Sequence, residues 1–330
     1  MRGFLPTAHR ISAKHRMSET RPKIALALGS GAARGLAHIG VLKVLEKHQI
    51  PVDFIAGTSI GAALGALYAA GVSVLRMEEV MRDLDWRALA RLLDPTLPTS
   101  GLIDGNRVAT FFDELLPVAT FEELNIPLAI TATDIETGEA LVIRKGNLRE
   151  GLRAAVAFPG IFTPVPFGDR FLVDGGLINP VPLDVAHQMG ADRVIGVCTI
   201  PGVQQPSSEA FLPAQTSPPD APSRLRDYFT AASIEKLLRD IWTPNHPDQD
   251  SPPPRNRKPP NIFSICSRSV AIMENRINAL QLDRIHADVF IRPRFDDLTM
   301  LEFHRAPEAI AAGEKAAHEV LPQLHALRRA

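Results

Sequence analysis

The chain has 330 residues, 45% of them hydrophobic and 22% charged, which is enough apolar material for a sizeable core and too much for a disordered polymer. Its 36 Lys+Arg against 37 Asp+Glu leave a net charge of -1, which excludes an overall basic nucleic-acid binder. Two cysteines, Cys198 and Cys266, are too few for a disulfide scaffold or a four-ligand zinc site, so a reducing cytoplasm is the expected compartment.

Residues 1–22 carry Arg2, Arg10, Lys14, Arg16 and Arg21 against Glu19 and lack an apolar segment of signal-peptide length. They read as a disordered basic leader outside the fold, with Met17 an alternative start. Ile24–Leu28 is a continuous apolar run, as expected of a strand buried on both faces. A glycine-rich loop at 29–35 follows, and then apolar residues at helical spacing over 36–48. A second strand over 52–56 leads through 57–61 into a helix ending near Gly71. Strand, loop, helix, strand, turn, helix is the grammar of a parallel α/β sheet. The uncharged stretch 54–75 is long enough to span a bilayer, but it divides more simply into a buried strand and a buried helix. Residues 128–133 and 140–143 flank a hairpin turn at Gly138, residues 170–173 form a strand running into Asp174, and 193–199 is a buried strand after a helix that stops at Gly190. Residues 201–260 hold 13 of the 28 prolines. Proline removes a backbone donor and fixes φ, so 201–261 reads as a largely disordered insertion. A helix over 265–280, a strand over 287–292 and a closing helix over 307–321 complete the α/β domain begun at 23–200, with 262–330 as its C-terminal part.

Three loops stand where chemistry can be placed. Gly29-Ser30-Gly31-Ala32-Ala33-Arg34-Gly35 lies between a strand and a helix, where free N–H groups favour negative charge. A dinucleotide pyrophosphate, a developing oxyanion and a plain tight turn all fit it. Asp53, read as ending the next strand, is placed for the ribose of the first, although the glycines run G-x-G-x-x-x-G. Gly57-Thr58-Ser59-Ile60-Gly61 fits G-x-S-x-G with a strand before it and a helix after it, the setting of a nucleophile elbow; the plainer reading is a small-residue packing turn. Asp174-Gly175-Gly176 alone reads as an ordinary turn. A serine needs a base, and the ten histidines offer no motif: His9 and His15 fall in the leader, His246 in the insertion, and His48, His187, His318 and His325 in or beside helices read as exposed. His38 stands one helical turn after Arg34 and near the glycine loop.

In this order, G-S-G-A-A-R-G-L-A-H-I-G-V-L, G-T-S-I-G and D-G-G closely resemble the patatin-like phospholipases, specifically short bacterial members related to the neuropathy-target-esterase group. The resemblance covers about 24–200, including A-F-P-G-I-F-x-P at 157–164. It resumes over about 262–321 in S-R-S-V-A-I-M-E-N-R, A-D-V-F-I-R-P and E-A-I-A-A-G-E. It implies a three-layer α/β/α sandwich with a mostly parallel sheet. It also implies a dyad in which Ser59 is the nucleophile and Asp174 its base, with residues 29–35 as the oxyanion loop and Arg34 at the family's basic position. Ser30 and Ala32 stand where the family register carries glycines. The function expected is cleavage of carboxylic esters of lipids through an acyl-enzyme, with no metal, organic cofactor or nucleic-acid partner. A dinucleotide-binding oxidoreductase and a catalytically silent protein of the same fold are the alternatives. Within the insertion, Leu225, Tyr228, Phe229, Ile234, Leu237, Leu238, Ile241 and Trp242 recur at helical spacing beside Arg224, Arg226, Lys236 and Arg239. A helix packed on the core and an interfacial helix giving peripheral membrane contact through 223–242 both fit that pattern.

Overall fold

The computed structural model describes residues 21–84, 91, 103–200 and 262–329. Residues 1–20 of the leader and the whole 201–261 segment, including 223–242, lie outside the described residues. The strands are β1 (Ile24–Leu28), β2 (Phe54–Thr58), β3 (Leu128–Asp134), β4 (Ala140–Ile143), β5 (Val165–Phe167), β6 (Arg170–Asp174), β7 (Arg193–Val197) and β8 (Val289–Ile291). The helices are α1 (Ala37–Lys47), α2 (Ile60–Ala69), α3 (Val74–Arg82), α4 (Asn106–Leu115), α5 (Leu148–Ala155), α6 (Leu183–Gln188), α7 (Ile262–Leu282), α8 (Ala306–Glu319) and α9 (Leu321–Ala326). The strands form one sheet in the order β5-β6-β3-β2-β1-β7-β8, with β4 paired to β3.

The pairs β3–β2, β2–β1, β1–β7 and β7–β8 are parallel, so these five strands carry two faces that need cover. Alternation along β1 sorts the faces by size. Ile24, Leu26 and Leu28 join the larger core with residues of α1, α2, α3 and α8, while Ala25 and Ala27 join Ala56, Ala129 and Val194 against α6 and the end of α7. Each fully buried Leu or Ile contributes about 1.5–3 kcal/mol. The result is the three-layer α/β/α sandwich expected, with a mostly parallel sheet and helices on both sides. Residues 54–75 divide into β2, α2 and the start of α3, and no described helix is long and apolar enough to cross a membrane.

Two departures from the sequence reading bear on the site. Residues 32–36 form a turn of 3-10 helix, so the regular helix begins only at Ala37. The strand into Asp174 runs antiparallel to β3, outside the parallel strand–helix grammar with which the chain begins. β4 occupies one edge of β3, and β2 and then β6 share the other. β2 pairs along Leu128 to Thr131, and β6 takes over at Ala132, opposite Asp174. β2 and β6 therefore meet end to end, which brings the loop after Thr58 against the loop after Asp174.

Candidate active site

Ser59 sits between β2 and α2 with φ 55 and ψ -126, a left-handed backbone that a side chain rarely adopts. Tight neighbours hold it there. A Cβ on Gly57 would lie 2.5 Å from the Ala62 Cα, and one on Gly61 would lie 2.3 Å from the Leu28 carbonyl oxygen. Thr58 is buried and donates its hydroxyl to the Asn179 carbonyl at 2.8 Å, with the Thr131 hydroxyl 2.7 Å away. Ser59 itself is half-buried and so remains reachable. Ile60 and Gly61 open α2 behind it, both buried.

Ser59 Oγ donates to Asp174 Oδ2 at 2.5 Å. The other carboxylate oxygen accepts from the Gly176 N–H at 2.8 Å, which fixes the carboxylate plane. The turn can close this tightly because Gly175 lacks a Cβ, which would meet Thr131 Oγ1 at 2.3 Å. Asp174 is buried, and burial pushes its carboxyl up to about 6 against the pull of the Ser59 and Gly176 hydrogen bonds. Among the described residues no histidine bonds Ser59. His38 is buried, held neutral by burial with its pKa near 4, and donates Nε2–H to the Gly29 carbonyl at 2.8 Å. His187 is exposed and bonds the His286 carbonyl at 2.7 Å, and His48, His318 and His325 cluster together by ring edges.

In the glycine loop most N–H groups are already committed. Gly29 N–H goes to the Val197 carbonyl at 3.0 Å, Ser30 N–H to Pro180 at 2.8 Å, Ala33 N–H to Met300 at 2.9 Å and Arg34 N–H to Gly31 at 3.1 Å. Gly35 lies inside the 3-10 turn with its Cα against Ile60. Gly31 and Ala32 N–H remain as the donors available to an oxyanion. Gly31 has φ 153, and a Cβ there would lie 2.1 Å from Thr199 Oγ1. Ala32 has φ 50, a conformation natural to the glycine of the family register. Arg34 is half-buried and donates Nε–H to the Leu298 carbonyl at 2.6 Å. Burial lowers its pKa from the usual arginine value, while Glu302 and Glu274 oppose that shift. Its guanidinium thus fastens the loop to the C-terminal segment.

One reading is corrected. Asp53 precedes β2 and lies beside Ile24, at the end of the strands opposite the glycine loop, roughly 15 Å away at about 3.3 Å per residue. Its carboxylate accepts from Arg21 at 2.6 and 2.7 Å and from the Ile24 N–H at 2.8 Å. It ties together the starts of β1 and β2 and cannot reach a ribose bound at the loop. One residue was missed. Glu274 on α7 is 5% exposed and accepts from Ser30 Oγ at 2.9 Å, immediately behind the Asp174 turn.

Together, a strand–turn–helix elbow, a hydrogen-bonded serine–carboxylate pair and a donor loop define an α/β protein equipped for acyl transfer. A model of the patatin-like phospholipases matches residues 26–187. An uncharacterized NTE family protein of Mycobacterium tuberculosis (strain ATCC 25618 / H37Rv) is 30% identical over 340 residues, 91% of each chain. Patatin-like phospholipase domain-containing protein 6 of Homo sapiens is 38% identical over 181 residues, 53% of this chain and 13% of that protein. The crystal structure of VipD from Legionella pneumophila aligns with 93% of this chain and 67% of its own at a TM-score of 0.45 and 12% identity. The chain belongs to the patatin-like phospholipase family, which places it among lipid ester hydrolases at the level of the family.

Proposed function

We propose that the chain is a serine acyl hydrolase of lipid carboxylic esters in which Ser59 and Asp174 act as a nucleophile–base dyad. The observation that carries the reading is the 2.5 Å hydrogen bond from a reachable serine to a buried carboxylate. Ser59 Oγ attacks the ester carbonyl carbon while Asp174 Oδ2 takes its proton. The Gly31 and Ala32 N–H groups receive the charge that builds on the carbonyl oxygen. The tetrahedral intermediate collapses, the alcohol leaves with the proton held by Asp174, and the acyl group remains on Ser59. Water then repeats the sequence against the acyl-enzyme and frees the acid. A carboxylate is a weak base in water, but burial raises its proton affinity at little cost in ionised fraction at neutral pH.

A fluorophosphonate probe tests the reading directly. The expected result is stoichiometric labelling of the wild type, lost in Ser59→Ala and strongly slowed in Asp174→Asn. Equal labelling in a folded Ser59→Ala variant would sink it. The same reading includes peripheral contact with lipid through 223–242, supported by the basic and apolar spacing of that segment. Deleting it should lower liposome binding and spare hydrolysis of a soluble short-chain ester; undiminished liposome binding would remove that contact.

A further inference from the structure

Behind the dyad lies a second buried carboxyl whose surroundings are as closely fitted as those of the first. A Cβ added to Gly176 would lie 2.4 Å from Glu274 Oε1 and 3.2 Å from Asp174 Oδ1, so both acids crowd the same glycine. The same construction places the Ser30 Cβ 3.4 Å away. Ser30 occupies a position where the family register carries glycine, and its hydroxyl donates to Glu274 Oε1 at 2.9 Å. Ser30 in turn is held by its own backbone, its N–H on Pro180 and its carbonyl accepting from Thr199 Oγ1 at 2.6 Å. From the far side, Gln281 of the same helix donates to the Ile178 carbonyl at 3.3 Å, just beyond the D-G-G turn. The second glycine of the turn and the serine of the loop are thus the complementary surfaces of one α7 carboxyl.

We propose that Glu274 is a positioning residue of this site: its un-ionised carboxyl, seated between Ser30 and Gly176, holds the glycine loop and the D-G-G turn to α7 and keeps a second negative charge away from Asp174. The proposal rests on the hydrolase reading above. The charged and titratable groups facing Glu274 are Asp174 from the turn, Arg34 from the loop and Cys198 beyond β7, with Glu302 facing Arg34 and Arg292 facing Cys198. Burial first, and then the Asp174 carboxylate, push the Glu274 carboxyl up to about 8, against the Ser30 hydrogen bond and the Arg34 charge. Two carboxyls this close do not ionise together readily; the first negative charge sits on Asp174 and the proton stays on Glu274. Above that range Glu274 gives its proton to solvent. The new charge then opposes the oxyanion that must form on the substrate and repels Asp174.

The test pairs two readouts across pH in wild type, Glu274→Gln and Ser30→Ala. The first is kcat/KM on a soluble short-chain ester. Wild type should show an acid limb near 6 and an alkaline limb near 8, falling about tenfold per pH unit on each side. Glu274→Gln should keep the acid limb and lose the alkaline one. Ser30→Ala removes a bond that favours the ionised carboxyl, so its alkaline limb should move to higher pH. Cys198→Ala should leave the limb in place. The second readout is independent of catalysis. A carboxyl whose folded pKa is raised stabilises the fold least at high pH, so Tm of Glu274→Gln relative to wild type should climb from about pH 4.5 to about 8. An alkaline limb that persists in Glu274→Gln, or a Tm difference that is flat with pH, would overturn the proposal. Should Glu274→Gln fail to fold, an unmoved limb in Ser30→Ala would do the same. Absent labelling of wild type by the fluorophosphonate would instead defeat the hydrolase reading, and the Tm comparison would still decide whether Glu274 carries a proton.

Discussion

In the proposed dyad Asp174 has to be ionised to accept the Ser59 proton, and its surroundings set the pH at which that happens. Its pKa is raised from the usual carboxylate value to about 6, so kcat/KM should drop about tenfold for each pH unit below that point. A flat profile between pH 5 and 7 would exclude Asp174 as the base. The proposed dyad acts as one unit, so Ser59→Ala, Asp174→Asn and the double variant should retain similar activities, each about 10⁴-fold below wild type. Collapse of activity in a folded His187→Ala variant would point to a histidine base instead. Arg34 acts at one remove. Its Nε–H holds the Leu298 carbonyl, so Arg34→Ala should loosen the Gly31 and Ala32 donors and lower kcat by about 10²–10³ with a much smaller change in KM. An unchanged kcat would take Arg34 out of the mechanism.

The elbow and the glycine loop stood out in the sequence through their glycines, while D-G-G read alone as an ordinary turn and gained weight only from its order after the other two. Gly57, Gly61 and Gly175 all lie where a Cβ would strike backbone or a buried side chain. Local chemistry of that kind survives in the order of the residues. The partition of the loop's donors did not, since it depends on carbonyls at Pro180, Val197 and Met300 that pair only in three dimensions. α7 hid its role for a different reason. Its buried positions include Glu274 and Asn278, while Ile265, Ile272, Met273 and Leu280 stand exposed, so the apolar stripe of the helix does not mark the face that meets the sheet. A carboxylate on a helix normally reads as a solvated position, and tertiary packing alone reverses that here. The contact between α1 and α8 shows the opposite case, with small residues allowing backbones to touch. A Cβ on Gly313 would lie 1.9 Å from the Ala37 carbonyl, and one on Gly40 would lie 2.0 Å from that of Ile310. Gly313→Ala must therefore push the helices apart, at a cost of about 1–3 kcal/mol. Denaturant unfolding should record that loss; an unchanged midpoint would show that the crossing relaxes freely.

The family match ends at residue 187, yet the site does not. Chain beyond that point supplies β7 and β8 on one side of β1, Thr199 and Met300 against the glycine loop, Leu298 for Arg34, and Glu274 behind Asp174. It also supplies α8, whose Ala306, Ala309, Ile310, Ala316 and Ala317 are buried in the larger core. A fragment covering residues 21–200 would keep Ser59, Asp174 and the three site loops. It would expose the face of α1 that α8 covers and leave the outer edge of β7 unpaired, a ready site for aggregation. Losing five buried side chains of α8, mostly alanines, removes several kcal/mol on the scale of about 25 cal/mol per Å² of apolar surface, comparable with the whole net stability of a domain. The fragment should therefore lack a cooperative thermal transition and resist fluorophosphonate labelling. A soluble 21–200 fragment that melts cooperatively and labels at the wild-type rate would show that the family-matched segment and its flanking strand stand alone.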